Sequence, residues 1–188
     1  MRTHLLAVLI LVTLASPASA QTTSPESAWT FGGTLGYGRT WDDEGSIGTG
    51  WLLGGYADRR LWKSVHLELA VDVLSNKRSD AFVADGTTTY ASAGLSHRFG
   101  NRSVSGFVIG GGVLAFYDGT TGFSDGSFRT ERESVNPGFI FGGGFAVRAS
   151  TNVEIGPVVR MTLMQIDNDS DPWSTITAGI RVGFTPIR

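Results

Sequence analysis

The sequence predicts an all-β protein, an eight-stranded antiparallel up-and-down transmembrane β-barrel, and three observations lead to this fold class. Apolar and polar residues alternate with a period of two in several segments, and the connections between these segments alternate between long and short. The polar face of the segments carries charges of both signs but almost no lysine. Because successive side chains of a strand point to opposite faces, the alternation indicates sheets with one apolar face.

The alternation defines eight strands along the chain. It is clearest in four segments, at residues 29–38, 65–74, 153–164 and 175–184. Four weaker segments fill the gaps, near residues 48–58, 87–98, 104–117 and 137–148. The 26 glycines and the absence of a 3.6-residue apolar period argue against helices. An even number of strands places both termini of the chain on the same rim, the one with the short turns.

The connections predict which rim faces which side of a membrane. The connections after the odd-numbered strands are long and polar: Asp42–Ile47, Ser75–Gly86, Asp118–Asn136 and Asp167–Pro172. Those after the even-numbered strands are short: Arg59–Ser64, Gly100–Ser103 and Ala149–Asn152. Long loops on one rim and short turns on the other are typical of outer-membrane barrels, whose turns lie in the periplasm.

The direction of the polar face separates a membrane barrel from a soluble one, because a membrane barrel turns its apolar residues outward. The only two lysines, Lys63 and Lys77, fall in connections, and the polar face is rich in glycine, threonine and serine, which suits a narrow interior. Its charged residues predict an interior salt-bridge network formed by Glu68, Asp72, Glu154, Arg160 and Arg181, with His66 beside it and with Arg98 and Arg148 nearer the turns. A solvated polar face is the alternative.

Aromatic residues concentrate near the predicted strand ends. Rings with an apolar body and a polar tip favour the membrane–water boundary. We therefore predict an aromatic girdle that includes Trp29, Trp41, Trp51, Trp173 and Phe184. In the alternative, these rings close the ends of a soluble barrel.

The first twenty residues have the composition of an export signal. Arg2 supplies a positive start, an apolar run of about eleven residues follows from Leu5, and small residues precede Gln21. This run is too short for a bilayer span, which needs roughly 20 residues. We predict a signal peptide at 1–20 cleaved between Ala20 and Gln21, a short N-terminal lead at 21–28 and a barrel domain at 29–188.

Taken together, these segments resemble the small outer-membrane β-barrel family that includes the OmpA transmembrane domain and OmpX-like proteins. The closing strand, Thr175 to Phe184, steps in twos to an aromatic residue and is similar to the signal that the barrel-assembly machinery recognises in its clients. In the family that aromatic is usually the final residue, whereas here four residues follow Phe184. The resemblance implies the outer membrane of a bacterial cell as the location, with outer-membrane lipid and the assembly machinery as partners.

No motif in the sequence predicts an enzyme, and we expect no cofactor. Ser96 and His97 are neighbours on one strand, so their side chains point to opposite faces and cannot form a nucleophile–base pair. Asp167, Asp169 and Asp171 alternate as in calcium loops, but the glycine and glutamate of an EF-hand are missing, so no metal site is predicted. No basic tract indicates nucleic-acid binding.

The expected function is therefore that of a non-enzymatic outer-membrane barrel with a side-chain-filled lumen. It would act through its extracellular loops in envelope integrity, adhesion or contact with an unknown extracellular partner, since loops on rigid scaffolds often carry function. Two alternatives stay open at this point: a soluble periplasmic lipocalin-like barrel that binds a small apolar ligand, and a porin-like narrow pore.

Overall fold

The computed structural model describes residues 29–41, 46–76, 86–101, 103–122, 128–165 and 172–186. The predicted signal peptide, its cleavage site at Ala20 and Gln21, and the lead at 21–28 lie outside the described residues. Within the described ranges, no helix is long and apolar enough to cross a membrane.

Eight strands form one closed antiparallel barrel, in which each strand pairs with its neighbours in sequence and β1 pairs with β8. The strands are β1 (Trp29–Trp41), β2 (Ser46–Trp62), β3 (Val65–Asn76), β4 (Gly86–Gly100), β5 (Val104–Gly122), β6 (Phe128–Arg148), β7 (Val153–Met164) and β8 (Trp173–Phe184). This confirms the predicted fold class, strand number and topology.

We call the rim with the short connections the turn end and the opposite rim the loop end. The first residue of β1 and the last residue of β8 lie at the turn end, where Phe31 pairs with Phe184. The tightest connection there is the two-residue turn between β2 and β3, in which Lys63 has a φ of 45°. Gly100 has a φ of 108° as β4 leaves the barrel, a conformation that glycine adopts without a steric penalty.

The strands at the loop end are longer than the alternation predicts. The segment Asp118–Asn136 was expected to be a loop, but β5 and β6 continue through most of it, and Gly122 pairs with Phe128. This hairpin extends beyond its last described pairs with the neighbouring strands, which are Gly86–Gly119 with β4 and Gly138–Met164 with β7. Beyond the rim neither face of a hairpin is covered by lipid or by the lumen, so the sequence there need not alternate.

Candidate functional site

The outer face of the barrel is apolar. Among the residues that the structure describes, twenty-two large hydrophobic side chains are exposed. They lie on the outward-facing positions of their strands, except where a bulge at the end of β2 exposes both Leu61 and Trp62. Phe139, Trp51 and Leu53 are the most exposed among them, at 72, 67 and 67 %. Soluble proteins rarely expose contiguous apolar surface of this extent, so this belt requires an apolar environment.

Four of the five predicted girdle residues lie on this outer face. Trp29 and Phe184 are at the turn end, and Trp41 and Trp51 lie toward the loop end. The Trp51 ring meets the Tyr37 ring edge-on, with centroids 5.7 Å apart, and Tyr37 donates a hydrogen bond to Thr49 at 2.9 Å. Aromatic side chains therefore lie toward both ends of the outer face.

The assignment of Trp173 to the girdle is wrong, because its side chain points into the barrel and is 8 % exposed. The reason is its position in β8. Trp173 is separated by an even number of residues from Thr175, Thr177 and Arg181, which all face the lumen. Its ring packs edge-on against Tyr117, with centroids 5.5 Å apart.

The middle of the lumen contains four charged side chains, which we call the central ion cluster: Glu68, Asp72, Arg160 and Arg181. Arg160 donates from Nη2 to Glu68 Oε1 at 2.6 Å and from Nη1 to Asp72 Oδ2 at 2.7 Å. Arg181 donates from Nη1 to the other oxygen of Glu68 at 2.7 Å. One carboxylate thus joins two arginines from β7 and β8 to β3 across the barrel.

Aromatic rings complete the surroundings of Arg181. Its guanidinium carbon lies 3.7 Å from the centre of the Tyr56 ring and 4.8 Å from the centre of the Phe107 ring. Cation–π contacts of this kind strengthen when both partners are shielded from water. Arg181 is 3 % exposed, so its charge is held entirely by protein groups.

Glu154 was predicted to belong to the same network, but it does not contact the central ion cluster. Glu154 accepts hydrogen bonds from both terminal nitrogens of Arg98, at 2.9 and 3.1 Å, and not from the two central arginines. Arg98 also lies 3.6 Å from Asp58, which in turn contacts His66 Nδ1 at 2.8 Å. We call Asp58, His66, Arg98 and Glu154 the turn-side ion cluster.

Asp58 was not predicted as a lumen residue, because β2 was expected to end there. The structure continues β2 to Trp62 and places Asp58 on the inward-facing positions with Tyr56. Asp58 is separated by an odd number of residues from the outward-facing Trp51 and Leu53, and this spacing is the signal that would have placed it in the lumen. Arg148, by contrast, is exposed and forms no ion pair with the described residues.

The loop half of the lumen contains a cluster of apolar side chains, which was not predicted. Nine buried side chains form this apolar plug: Leu52, Leu74, Tyr90, Val113, Ala115, Tyr117, Ile140, Met164 and Trp173. The Tyr90 hydroxyl shares a hydrogen bond with Thr175 Oγ1 at 3.1 Å, and Thr175 shares another with Thr40 at 3.0 Å. The plug separates the central ion cluster from the loop end.

Inward-facing glycines make room for these side chains. A Cβ atom at Gly54 would collide with Asp72 Oδ1, and one at Gly183 would collide with the Tyr56 hydroxyl. A Cβ atom at the outward-facing Gly55 would have no neighbour closer than 3.8 Å. Glycine inside the barrel is therefore required by crowding.

The described residues offer little for catalysis. Ser96 is buried inside the barrel and His97 faces outward, as expected for neighbours on a strand. His97 Nδ1 instead contacts Ser64 Oγ at 3.2 Å, at the exposed turn end. No carboxylate of the described residues pairs with His97, so the orienting group of a catalytic triad is missing from this pair.

Metal binding has no candidate site in the described ranges, where no three His, Cys, Asp or Glu side chains could hold an ion. The residues Asp167, Asp169 and Asp171 lie outside the described residues.

Comparison with known proteins gives a structural likeness only. No protein-family model matches the chain, and no curated protein matches it in sequence. Neisserial surface protein A is similar over 83 % of this chain and 97 % of its own, with a TM-score of 0.59 and 16 % identity. The attachment invasion locus protein Ail of Yersinia pestis, solved with the heparin analogue sucrose octasulfate, covers 85 % of this chain and 99 % of its own, with a TM-score of 0.55 and 14 % identity.

The N-terminal β-barrel domain of Pseudomonas aeruginosa OprF is similar over 85 % of this chain and 98 % of its own, with a TM-score of 0.53 and 19 % identity. At these identities the likeness concerns the backbone arrangement. It matches the closed antiparallel barrel described above. This chain therefore has the fold of the small eight-stranded outer-membrane β-barrels.

Proposed function

We propose that this chain is a non-enzymatic barrel of the bacterial outer membrane that has a closed lumen and acts through its loop end. The observation that carries the proposal is the inverted polarity of the barrel. Large apolar side chains face outward, while buried ion pairs face inward. A closed barrel satisfies its own backbone hydrogen bonds, which makes it one of only two structures that can span a bilayer.

Insertion with the turn end toward the periplasm follows from the connections, since outer-membrane barrels have short periplasmic turns. The predicted signal peptide at 1–20 provides export, and the barrel-assembly machinery would insert the chain. The apolar belt contacts outer-membrane lipid in this arrangement.

The filled lumen argues against a pore. The apolar plug and the central ion cluster lie one above the other, and eight strands leave an interior just wide enough for side chains. Planar-bilayer recordings should therefore show no discrete conductance steps. Reproducible steps from the purified protein would support the narrow pore instead.

The loop end is the surface left for contact with a partner. Its strand ends and connecting segments, residues 42–45, 77–85, 118–133 and 166–171, contain twelve acidic and four basic residues. The Ail barrel was solved with a polyanionic sulfated sugar, but an acidic loop end would repel such a ligand. We therefore infer that the partner is neutral or cationic.

Fractionation and gel mobility test the membrane part of the proposal. The mature protein should remain in the outer-membrane fraction after osmotic shock and should migrate faster in detergent gels before heating than after it. Release by osmotic shock without detergent would favour the soluble periplasmic barrel.

A binding assay on whole cells tests the role of the loop end. Cells displaying the protein should bind polylysine-coated surfaces more strongly than cells without it, and heparin-coated surfaces no more strongly. A variant in which Asp42, Asp43 and Glu44 are replaced by Asn, Asn and Gln should reduce the binding to polylysine. Unchanged binding would leave envelope integrity as the role to be tested.

A further inference from the structure

The charges of the barrel are divided between its two ends. Of the seventeen acidic residues, twelve lie in the loop-end segments defined above, and four belong to the two ion clusters in the lumen. The remaining one, Glu26, precedes the described residues. Among the described residues at the turn end, in contrast, the charged side chains outside these clusters are all cations: Arg59, Arg60, Lys63 and Arg148.

Two of these cations lie over indole rings. The Arg59 guanidinium carbon is 5.6 Å from the centre of the Trp29 ring, and the Lys63 ammonium is 4.9 Å from the centre of the Trp62 ring. Arg59 and Trp29 are cross-strand partners in β1 and β2. Lys63 directly follows Trp62 in the two-residue turn between β2 and β3. Both pairs therefore occupy one sector of the turn end.

This sector continues into the apolar belt. Trp62 and Leu61 are 66 and 55 % exposed, and the Phe31 ring stacks on Trp29 with centroids 6.2 Å apart. We call the set the turn-rim patch; it consists of Trp29, Phe31, Arg59, Leu61, Trp62 and Lys63. Among the residues that the structure describes, neither Arg59 nor Lys63 forms an ion pair with a carboxylate.

We propose that the turn-rim patch binds the phosphate of an anionic phospholipid in the periplasmic leaflet. The inference rests on the proposed membrane insertion, which places this rim among the headgroups of that leaflet. Indole rings favour the interface, and cations beside them attract anionic headgroups. Arg59 supplies a planar fork of donors for phosphate oxygens, Lys63 adds a second charge, and the acyl chains contact Phe31 and Leu61.

A net anionic lipid fits better than a zwitterionic one because no acidic side chain of the described residues faces outward on this rim to hold a choline ammonium group. The acidic side chains at this end of the barrel, Asp58 and Glu154, point into the lumen and are paired with Arg98. The same charge pattern argues against a cationic peptide as the occupant.

The test uses protein purified in detergent from outer membranes and titrated with dioleoylphosphatidylglycerol or dioleoylphosphatidylcholine, with bound lipid counted by native mass spectrometry. The test variant combines Arg59→Gln with Lys63→Gln. The matched control combines Arg39→Gln with Arg148→Gln, which removes the same charge from two exposed arginines outside the patch.

The wild-type protein and the control variant should bind phosphatidylglycerol more tightly than phosphatidylcholine. The test variant should lose this preference, by about fivefold for each cation removed. Inorganic phosphate at millimolar concentration should not displace the lipid, because it lacks the acyl chains.

Two results would overturn the proposal that the turn-rim patch binds an anionic lipid. One is an unchanged preference for phosphatidylglycerol in the test variant, and the other is an equal loss of this preference in the control variant. Displacement of the lipid by inorganic phosphate would identify a soluble anion site instead and would also overturn it. Heat-modifiable gel mobility of each variant shows independently whether the barrel is folded. A wild-type protein found outside the membrane fraction would refute the proposed function itself, whereas a folded membrane barrel without lipid preference would refute the patch alone.

Discussion

The guanidinium of Arg181 lies over the Tyr56 ring on the inside of the barrel, with its central carbon 3.7 Å from the centre of that ring. Its Nη1 atom donates to Glu68 at 2.7 Å. One side chain from the last strand thus ties together β2, β3 and β8, including the two strands on either side of β1. The contacts combine an ion pair with a cation–π contact.

Replacing Arg181 by alanine should destabilise the barrel by about 3–5 kcal/mol, because breaking a buried pair leaves the Glu68 carboxylate with one partner fewer. Arg181→Lys should recover part of this loss, since it keeps the charge but lacks the planar fork. Equilibrium unfolding in urea, with the barrel in lipid vesicles, measures both. Equal stability of Arg181→Ala and the wild type in this assay would show that the interior pair does not support the fold.

The two ion clusters should differ in their contribution to stability. Glu68 is 2 % exposed and joins two arginines, whereas the Glu154 side chain is 20 % exposed and contacts one. Glu68→Gln should therefore cost about 3–5 kcal/mol, as for a broken buried pair. Glu154→Gln should cost about 1 kcal/mol or less, as for a partly hydrated pair. The same urea titration compares them, and a larger loss for Glu154→Gln would contradict this ranking.

The fold could be read from the sequence because the membrane and the lumen impose opposite chemistry on alternate residues. Val65, Leu67 and Leu69 face outward while Glu68 and Asp72 face inward, so parity along β3 was sufficient to place all five. The same parity assigned the inward direction of Arg160 and Arg181.

Parity alone could not assign partners across the lumen. Which arginine contacts which carboxylate depends on the positions of these residues along the barrel axis. Those positions are fixed by the register of strand pairing around the whole barrel. Glu154 was grouped with Arg160 for this reason, although it contacts Arg98. The apolar plug was missed because Leu52, Leu74 and Ile140 lie on the inward-facing positions, where only polar residues were expected.

Adding a methyl group at Gly54 should destabilise the barrel, because its Cβ would occupy the position of Asp72 Oδ1 and push that carboxylate away from Arg160. Gly54→Ala should cost about 1–3 kcal/mol, the range for overpacking. Gly55→Ala is the matched control, since its Cβ would have nothing closer than 3.8 Å and the change should be close to neutral. If both variants unfold at the same urea concentration as the wild type, the lumen is less tightly packed than the structure indicates.

The apolar plug should contribute to stability like a hydrophobic core. Leu74 is fully buried, and Leu74→Ala should cost about 2–5 kcal/mol through lost contacts and a cavity. Leu53→Ala removes the same atoms from the outer face, where Leu53 is 67 % exposed and lipid can fill the space. Leu53→Ala should therefore reduce the stability of the barrel less than Leu74→Ala does. A reversed order in vesicle-bound protein would mean that the loop half of the lumen is not packed as described.

A charge introduced on the outer face should affect the stability of a membrane barrel and of a soluble barrel differently. Leu35 is 58 % exposed and lies between Leu53 and Ile180, within the apolar belt. If lipid covers this face, Leu35→Arg should destabilise the barrel in vesicles by about 2–4 kcal/mol, the cost of an arginine near the bilayer midplane. If water covers it, the same substitution should be nearly neutral and should improve solubility. Arg39→Leu, further along the same outward face of β1, provides the reciprocal variant: it should leave stability in vesicles unchanged or raise it, but should promote aggregation of a soluble barrel. Refolding yields and urea midpoints of the two variants in vesicles, read beside their solubility without lipid, therefore distinguish the two environments.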